Sequence, residues 1–200
     1  KIVMPLLRDY DALNNKGFSE NEILSIRNDY ISSLPMAGIK KNIIVDKMPI
    51  NFRYIGFILS AFPEAKIIHM NRDPMATCWS IYKYTFKGNA YSFDQKDIAA
   101  YYHLYKDLMD FWNKLFPGII YDLYYENLTT NQEKETRKLL DYCDLEWDEN
   151  CLNFHKNNSA VKTTSSMQVR KKMYQGSSEA WKQYEDYLQP LIKGLVTNKQ

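Results

Sequence analysis

Three side chains that end or follow short apolar runs have the chemistry needed to bind a nucleotide. They are Lys47, Arg72 and Tyr125, which end or follow the runs at 42–47, 65–71 and 118–125. Arg72 offers a guanidinium that can donate two charge-assisted hydrogen bonds to one phosphate. An ammonium, a guanidinium and an aromatic ring together indicate a nucleotide site, provided that the three runs end at one edge.

Ser80 lies on a helix that the sequence predicts to begin at Asp73 and Pro74. Aspartate is a favoured N-cap, and proline suits the first helical position. Ser80 comes about two turns after Asp73, at 3.6 residues per turn, so its hydroxyl returns to the same helix face. It could therefore bind the same phosphate as Arg72, close to the partial positive charge of the helix N-terminus.

Each of these residues also has a simpler interpretation. Lys47 could be a solvated surface charge, and Arg72 could pair with its own neighbour Asp73. Tyr125 is one of 16 tyrosines and could pack in the core or at its rim. The nucleotide site is favoured because the residues occur together and in order.

The elements that would position these side chains predict an α/β fold with a mainly parallel central sheet flanked by helices. The predicted strands are 42–47, 65–71 and 118–125. The predicted helices are 19–34 with a capping box at Ser19 and Glu22, 51–62, one beginning at Asp73, 97–116 and 131–143. Short apolar strands are typical of parallel sheets buried on both faces, and such sheets bind ligands at the carboxyl ends of their strands.

Composition limits the alternatives. Two hundred residues, 45% hydrophobic and 25% charged, predict one globular domain over 1–200. A net charge of +2 argues against nucleic acid as a partner, so any bound anion needs a local site. No apolar run approaches the roughly 20 residues of a membrane span. Three separate cysteines favour a reducing compartment, which predicts a cytoplasmic location, and no metal-binding motif is seen.

The stretch 157–178 has no regular period and contains no Asp or Glu. Its basic residues are Lys162, Arg170, Lys171 and Lys172. Long irregular segments in compact domains are often functional, so we expect a loop that closes over an anionic ligand, with Arg170 and Lys172 among its binding residues. The alternative is a solvated loop. A stripe of apolar side chains that should pack on the core follows, at Trp181, Tyr184, Leu188 and Leu191.

Four segments resemble the sulfotransferase superfamily. They are VDKMPINF (45–52), FPEAKIIHMNRDPMATCWSIYK (62–83), DLYYENL (122–128) and the stretch 161–191. The most specific is FP-x-AK-I-I followed by RDP, with a serine eight residues past the arginine. The nearest branch is the bacterial, often tetratricopeptide-linked one related to tyrosylprotein sulfotransferases. The resemblance implies a P-loop-kinase-like fold and sulfuryl transfer from PAPS to a hydroxyl, without a metal.

The resemblance also implies roles for individual residues. Arg72 and Ser80 would bind the 3′-phosphate of PAPS or of its product PAP, and Tyr125 would contact the adenosine end. Lys47 would stabilise the leaving phosphate, and Ser165 would help to hold the phosphosulfate. The acceptor would be a peptide tyrosine, a sugar or a small phenol.

The chain departs from the family pattern at the catalytic base. Cytosolic members carry a histidine in K-x-H-x-P, which Lys47-Met48-Pro49 lacks, and the tyrosylprotein type uses a glutamate near a P-R-S-G-T-T loop that these residues also lack. We therefore expect an N-terminally truncated domain without its first strand, phosphate loop and base, inactive as this fragment. His69 and His103 are expected to be structural. Substitute bases remain open among Asp9, Asp11 and Glu20.

Two other functions stay open at this point. If the chain truly begins at residue 1, it could be a non-catalytic module that binds PAP-like nucleotides or a partner. A P-loop kinase relative would share the α/β plan but should carry a GK[ST] loop and a magnesium-binding aspartate. The resemblance also implies a tetratricopeptide domain upstream.

Overall fold

Residues 17–34, 43–84, 89–157 and 170–197 are described by a computed structural model of the chain. The chain divides after Ala65 into two units, and each is described by itself. Ser165, Lys162, Asp9 and Asp11 lie outside the described residues. The same holds for most of the predicted loop, from 158 to 169.

The first unit contains helix α1 (Glu20–Ser33), a 3-10 helix (Pro49–Tyr54) and helix α2 (Ile55–Ala61). The predicted capping box is confirmed, because Ser19 Oγ accepts a hydrogen bond from the Glu22 backbone N–H and the Glu22 carboxylate accepts one from the Ser19 backbone N–H at 2.7 Å. The buried apolar residues of this unit are Ile26, Ile55 and Ala61.

The predicted strand at 42–47 is wrong for its described part, because residues 43–48 have no regular structure. Ile43 and Ile44 are exposed, and Val45 is 86% exposed. A β-branched run becomes a strand only when a neighbour pairs with its backbone, and no described segment pairs with this one. The segment is held instead by Tyr30, whose hydroxyl donates to Asp46 Oδ2 at 2.8 Å. Burial and this hydrogen bond raise the pKa of Tyr30 to about 12.

The second unit carries the sheet and most of the helices. Its elements are β1 (Ile67–Asn71), α3 (Pro74–Lys83), a 3-10 helix (Ala90–Phe93), α4 (Gln95–Leu115), β2 (Ile120–Tyr124), α5 (Tyr125–Thr130), α6 (Gln132–Tyr142), 3-10 turns at Glu149–Cys151 and Phe154–Lys156, a 3-10 helix (Ala180–Leu188) and α7 (Gln189–Thr197). The two strands pair in parallel, from Ile67 opposite Ile120 to Asn71 opposite Tyr124. The predicted α/β class with parallel pairing is confirmed, and within the described residues the sheet has two strands.

The core of the second unit forms where α3, α4 and the C-terminal segment meet. Its buried members are Cys78, Ile98, Ala99, Leu188 and Leu191, and Trp181 packs against them. The predicted apolar stripe at the C-terminus is thus confirmed as packing, although Tyr184 lies at its edge and contacts the Trp79 ring at a centroid distance of 4.8 Å. Burial raises the pKa of the Cys78 thiol to about 12.

Helix α4 is the longest element of the described residues, and its N-cap is Asp94, whose carboxylate accepts hydrogen bonds from the backbone N–H groups of Lys96 and Asp97. Its inner face buries Ile98 and Met109. Among the described helices, none combines the length and the apolar character that crossing a bilayer requires.

Helices α4 and α7 approach most closely at Gly194. A Cβ atom at Gly194 would lie 2.7 Å from the Ala99 Cβ, which is fixed to the α4 backbone. Gly194→Val is therefore expected to lower the free energy of unfolding by about 2 kcal/mol, because the helices must separate to admit the side chain. Urea unfolding measures this. Lys193→Val, at an exposed neighbouring position, should change stability by less than about 0.5 kcal/mol, and equal stability of the two variants would contradict the close approach.

Candidate functional site

The carboxyl ends of β1 and β2 lie at one edge of the sheet because the strands are parallel. Arg72 follows β1, and Tyr125 follows β2. The Arg72 Cζ atom lies 5.0 Å from the centroid of the Tyr125 ring, which is a cation–π distance. The structure thus brings together two of the predicted site residues, and their roles in binding stay predictions.

Helix α3 begins beside Arg72 as its sequence predicts. Pro74 occupies the first turn, and the Asp73 carboxylate accepts a hydrogen bond from the Ala76 backbone N–H at 2.7 Å. Ser80 is half-buried on this helix, two turns after Asp73 and on the same face by helical periodicity. The Asp-Pro pair therefore fixes where α3 begins, and the helical period fixes the face on which the Ser80 hydroxyl lies.

Two serines that sequence reasoning missed complete the surroundings of Arg72. Arg72 Nη2 donates to the Ser177 carbonyl oxygen at 3.0 Å, and Arg72 Nε donates to Ser178 Oγ at 3.4 Å. The Tyr125 hydroxyl lies 2.9 Å from Ser177 Oγ. These serines follow Gly176, whose φ of +89° is a conformation that glycine adopts without strain. The sequence signal for these serines is the Gly-Ser-Ser tripeptide that ends the stretch 157–178, which contains no Asp or Glu.

Glu126 connects three segments of this site by hydrogen bonds. Its Oε1 atom accepts a hydrogen bond from the Asp73 backbone N–H at 3.1 Å and another from Ser178 Oγ at 2.5 Å. Partial burial raises the pKa of Glu126, but these hydrogen bonds and the nearby Arg72 charge outweigh it and lower the pKa below its usual value. The carboxylate is therefore ionised at neutral pH. The residues Arg72, Asp73, Tyr125, Glu126, Ser177 and Ser178 are called the Arg72 cluster below.

The charge of Arg72 remains available to an anion. Its hydrogen-bond partners are neutral serine oxygens, and no carboxylate in the described part of the chain lies within ion-pair distance of it. The alternative in which Arg72 pairs with Asp73 is not seen, because the Asp73 carboxylate caps α3. A guanidinium with neutral partners beside an aromatic ring fits a phosphate group of a nucleotide.

The remaining predicted site residues are Lys47, Arg170, Lys172 and Ser165. Lys47 is exposed in the irregular segment 43–48 of the first unit. Arg170 and Lys172 are exposed at the start of the described stretch 170–197, shortly before Ser177. Ser165 falls outside the described residues. The expectation that this stretch covers an anionic ligand stays a prediction.

A second polar group lies on the sheet itself. His69 is paired with Asp122 across the two strands, with 2.6 Å between Nδ1 and Oδ1, and its Nε2 contacts the Tyr105 hydroxyl. Burial raises the pKa of Tyr105, so its hydroxyl is protonated at neutral pH. His103 in turn donates to the Gly194 carbonyl oxygen at 3.0 Å. Both histidines are thus held by protein groups, as expected of structural residues.

Comparison with known proteins gives a family match and three relatives. A family model described as "Sulfotransferase family" matches residues 11–149. An uncharacterized protein of Aquifex aeolicus is 38% identical over 182 residues, which are 89% of this chain and 24% of that protein. The omega-hydroxy-beta-dihydromenaquinone-9 sulfotransferases of Mycobacterium bovis and Mycobacterium tuberculosis are each 30% identical over 119 residues, which are 53% of this chain and 29% of theirs.

The chain therefore spans less than a third of the length of these relatives. The family match, in contrast, extends over more than half of the chain and includes both strands and the residues that follow them. On that match, the chain belongs to the sulfotransferase family.

Proposed function

We propose that this protein transfers a sulfuryl group from PAPS to a hydroxyl acceptor. Family membership supports sulfuryl transfer in general. The proposal goes further in naming PAPS as the donor and a hydroxyl as the acceptor. The observation that carries the proposal is the Arg72 guanidinium lying against the Tyr125 ring where two parallel strands end. This is the edge at which open α/β sheets bind nucleotides.

In this proposal the Arg72 cluster binds the donor through its 3′-phosphate. Arg72 donates charge-assisted hydrogen bonds, Ser80 adds a hydroxyl from α3, and Tyr125 contacts the adenosine end. The neutral partners of Arg72 support this role, because no ion pair has to break for a phosphate to bind the guanidinium. The N-terminus of α3 adds partial positive charge.

The chemical step is an in-line displacement at sulfur. A new bond forms between the acceptor oxygen and sulfur as the bond from sulfur to the phosphate oxygen breaks, and the electron pair of that bond stays on PAP. The acceptor proton goes to a positioned base. Negative charge develops on the leaving phosphate, where Lys47 would stabilise it and Ser165 would hold the phosphosulfate. Arg170 and Lys172 would cover the donor.

The acceptor is a hydroxyl of one of four chemical classes. Peptide tyrosine, sugar and small phenol follow from the family resemblance. The omega-hydroxy-beta-dihydromenaquinone-9 after which the mycobacterial relatives are named adds a fourth, the terminal hydroxyl of a lipid-like chain. A panel with one member of each class therefore covers the proposal.

The test has two stages. First, millimolar PAP should raise the melting temperature of the protein, whereas 5′-AMP, which lacks the 3′-phosphate, should raise it much less. Second, labelled sulfate should pass from PAPS to one member of the acceptor panel when the protein also carries the phosphate loop and base that residues 1–200 are expected to lack. Absence of any PAP-dependent shift would overturn the donor assignment. A clear shift without transfer to any acceptor would instead favour a non-catalytic PAP-binding module.

A further inference from the structure

We infer that Glu126 is a positioning residue that holds the Ser177–Ser178 turn against Arg72 and so orients the guanidinium for the 3′-phosphate of the donor. This inference rests on the proposed function. Glu126 does not touch the donor in this arrangement. It acts through Asp73 and Ser178, the two groups that donate hydrogen bonds to its Oε1 atom.

At the start of α3, Glu126 completes a capping box. In a capping box, a glutamate at the third helical position accepts a hydrogen bond from the backbone N–H of the N-cap residue. The third position of α3 is Ala76, which has no acceptor in its side chain. Glu126 supplies that acceptor from the element that follows β2, with 3.1 Å between its Oε1 and the Asp73 nitrogen. The capping box of α3 is thus completed by a residue that follows the other strand. Its hydrogen bond fixes the backbone next to Arg72.

Glu126 also holds the serine turn. The same Oε1 atom accepts the Ser178 hydroxyl proton at 2.5 Å, which leaves a lone pair of Ser178 Oγ to accept from Arg72 Nε. The adjacent Ser177 accepts from Arg72 Nη2 through its carbonyl oxygen and its hydroxyl. The carboxylate therefore sets the direction of each hydrogen bond in the chain that runs from Glu126 through Ser178 to Arg72.

The serine turn in turn holds the Arg72 guanidinium along one edge. The described contacts of Arg72 use Nε and Nη2, which form one edge of the planar group. Within the described residues, no hydrogen bond reaches its Nη1 atom. A guanidinium held along one edge presents its outer end, Nη1 with the second proton of Nη2, to a phosphate in the two-pronged geometry that arginine favours. Its orientation therefore depends on the serine turn that Glu126 holds.

The test compares the binding of PAP and of 5′-AMP by calorimetry. In Glu126→Ala, PAP binding should weaken by about tenfold, because two donors lose their acceptor, while 5′-AMP binding stays unchanged. Glu126→Gln keeps an acceptor oxygen and should restore PAP binding to within about threefold of the original protein. Glu133→Ala, which removes an exposed carboxylate paired with Arg137, should bind both nucleotides as the original protein does.

The possible outcomes separate this inference from the proposed function. If the original protein does not bind PAP, the proposed function fails, whatever Glu126 does. If the original protein binds PAP through Arg72 and Glu126→Ala weakens PAP and 5′-AMP equally or not at all, the positioning role is wrong and the proposed function stands. Ser178→Ala provides the same comparison if Glu126→Ala does not fold, and it should also lose affinity for PAP but not for 5′-AMP.

Discussion

Alanine at position 72 is expected to weaken PAP binding about 100-fold, which corresponds to ~2.7 kcal/mol. The loss is large because a guanidinium can donate two charge-assisted hydrogen bonds to one phosphate, and a methyl group donates none. The Tyr125 ring would also lose the cation that lies 5.0 Å from its centroid. Calorimetric titration of Arg72→Ala with PAP measures the change directly.

Two further variants sharpen this measurement. Arg72→Lys keeps the positive charge but loses the fork of donors, so its affinity for PAP should lie between those of the original protein and the alanine variant. Arg137→Ala removes an arginine of α6 that pairs with Glu133, and it should leave PAP binding unchanged. Unchanged PAP affinity in a folded Arg72→Ala variant would refute the donor site.

Leu191→Ala is expected to lower the free energy of unfolding by about 3 kcal/mol. Leu191 is fully buried in the cluster where α3 and α4 meet the C-terminal segment, so truncation leaves a cavity that rigid helices cannot close. The same segment carries Ser177 and Ser178 upstream of Leu191, and loosening it should weaken PAP binding as well. Denaturant unfolding, followed by PAP titration of the folded variant, measures both effects.

Val196→Ala is the matched control because Val196 lies on the same helix but is 69% exposed. Its free energy of unfolding should change by less than about 0.5 kcal/mol. A Leu191→Ala variant that is as stable as Val196→Ala would show that the C-terminal helix does not contribute to the core.

Local signals allowed the sequence to predict several elements correctly. The start of α3 follows from Asp73 and Pro74, and the start of α1 follows from Ser19 and Glu22, because caps act within one helical turn. The strand at 42–47 was mispredicted because pairing is non-local, and an apolar β-branched run does not identify its partner. The second and third predicted strands succeeded because they pair with each other.

The residues of the candidate site also differ in whether the sequence could predict them. Arg72 and Tyr125 could be predicted to meet because both follow strands, and the carboxyl ends of parallel strands share an edge. Ser177 and Ser178 could not, since they lie in a segment without period and reach Arg72 only through tertiary contacts. Glu126 was visible beside Tyr125, but its role depends on the distant Asp73 and Ser178.

The burial of Cys78 has a practical consequence for measuring the motions of this protein. Its thiol is fully shielded, and its raised pKa keeps it protonated, so alkylating reagents can modify it only after the core around it opens. Cys143 and Cys151 are partly accessible and would react first. The slow labelling of the Cys78 thiol, followed by mass spectrometry, therefore measures the rate at which the helical core beside the sheet opens.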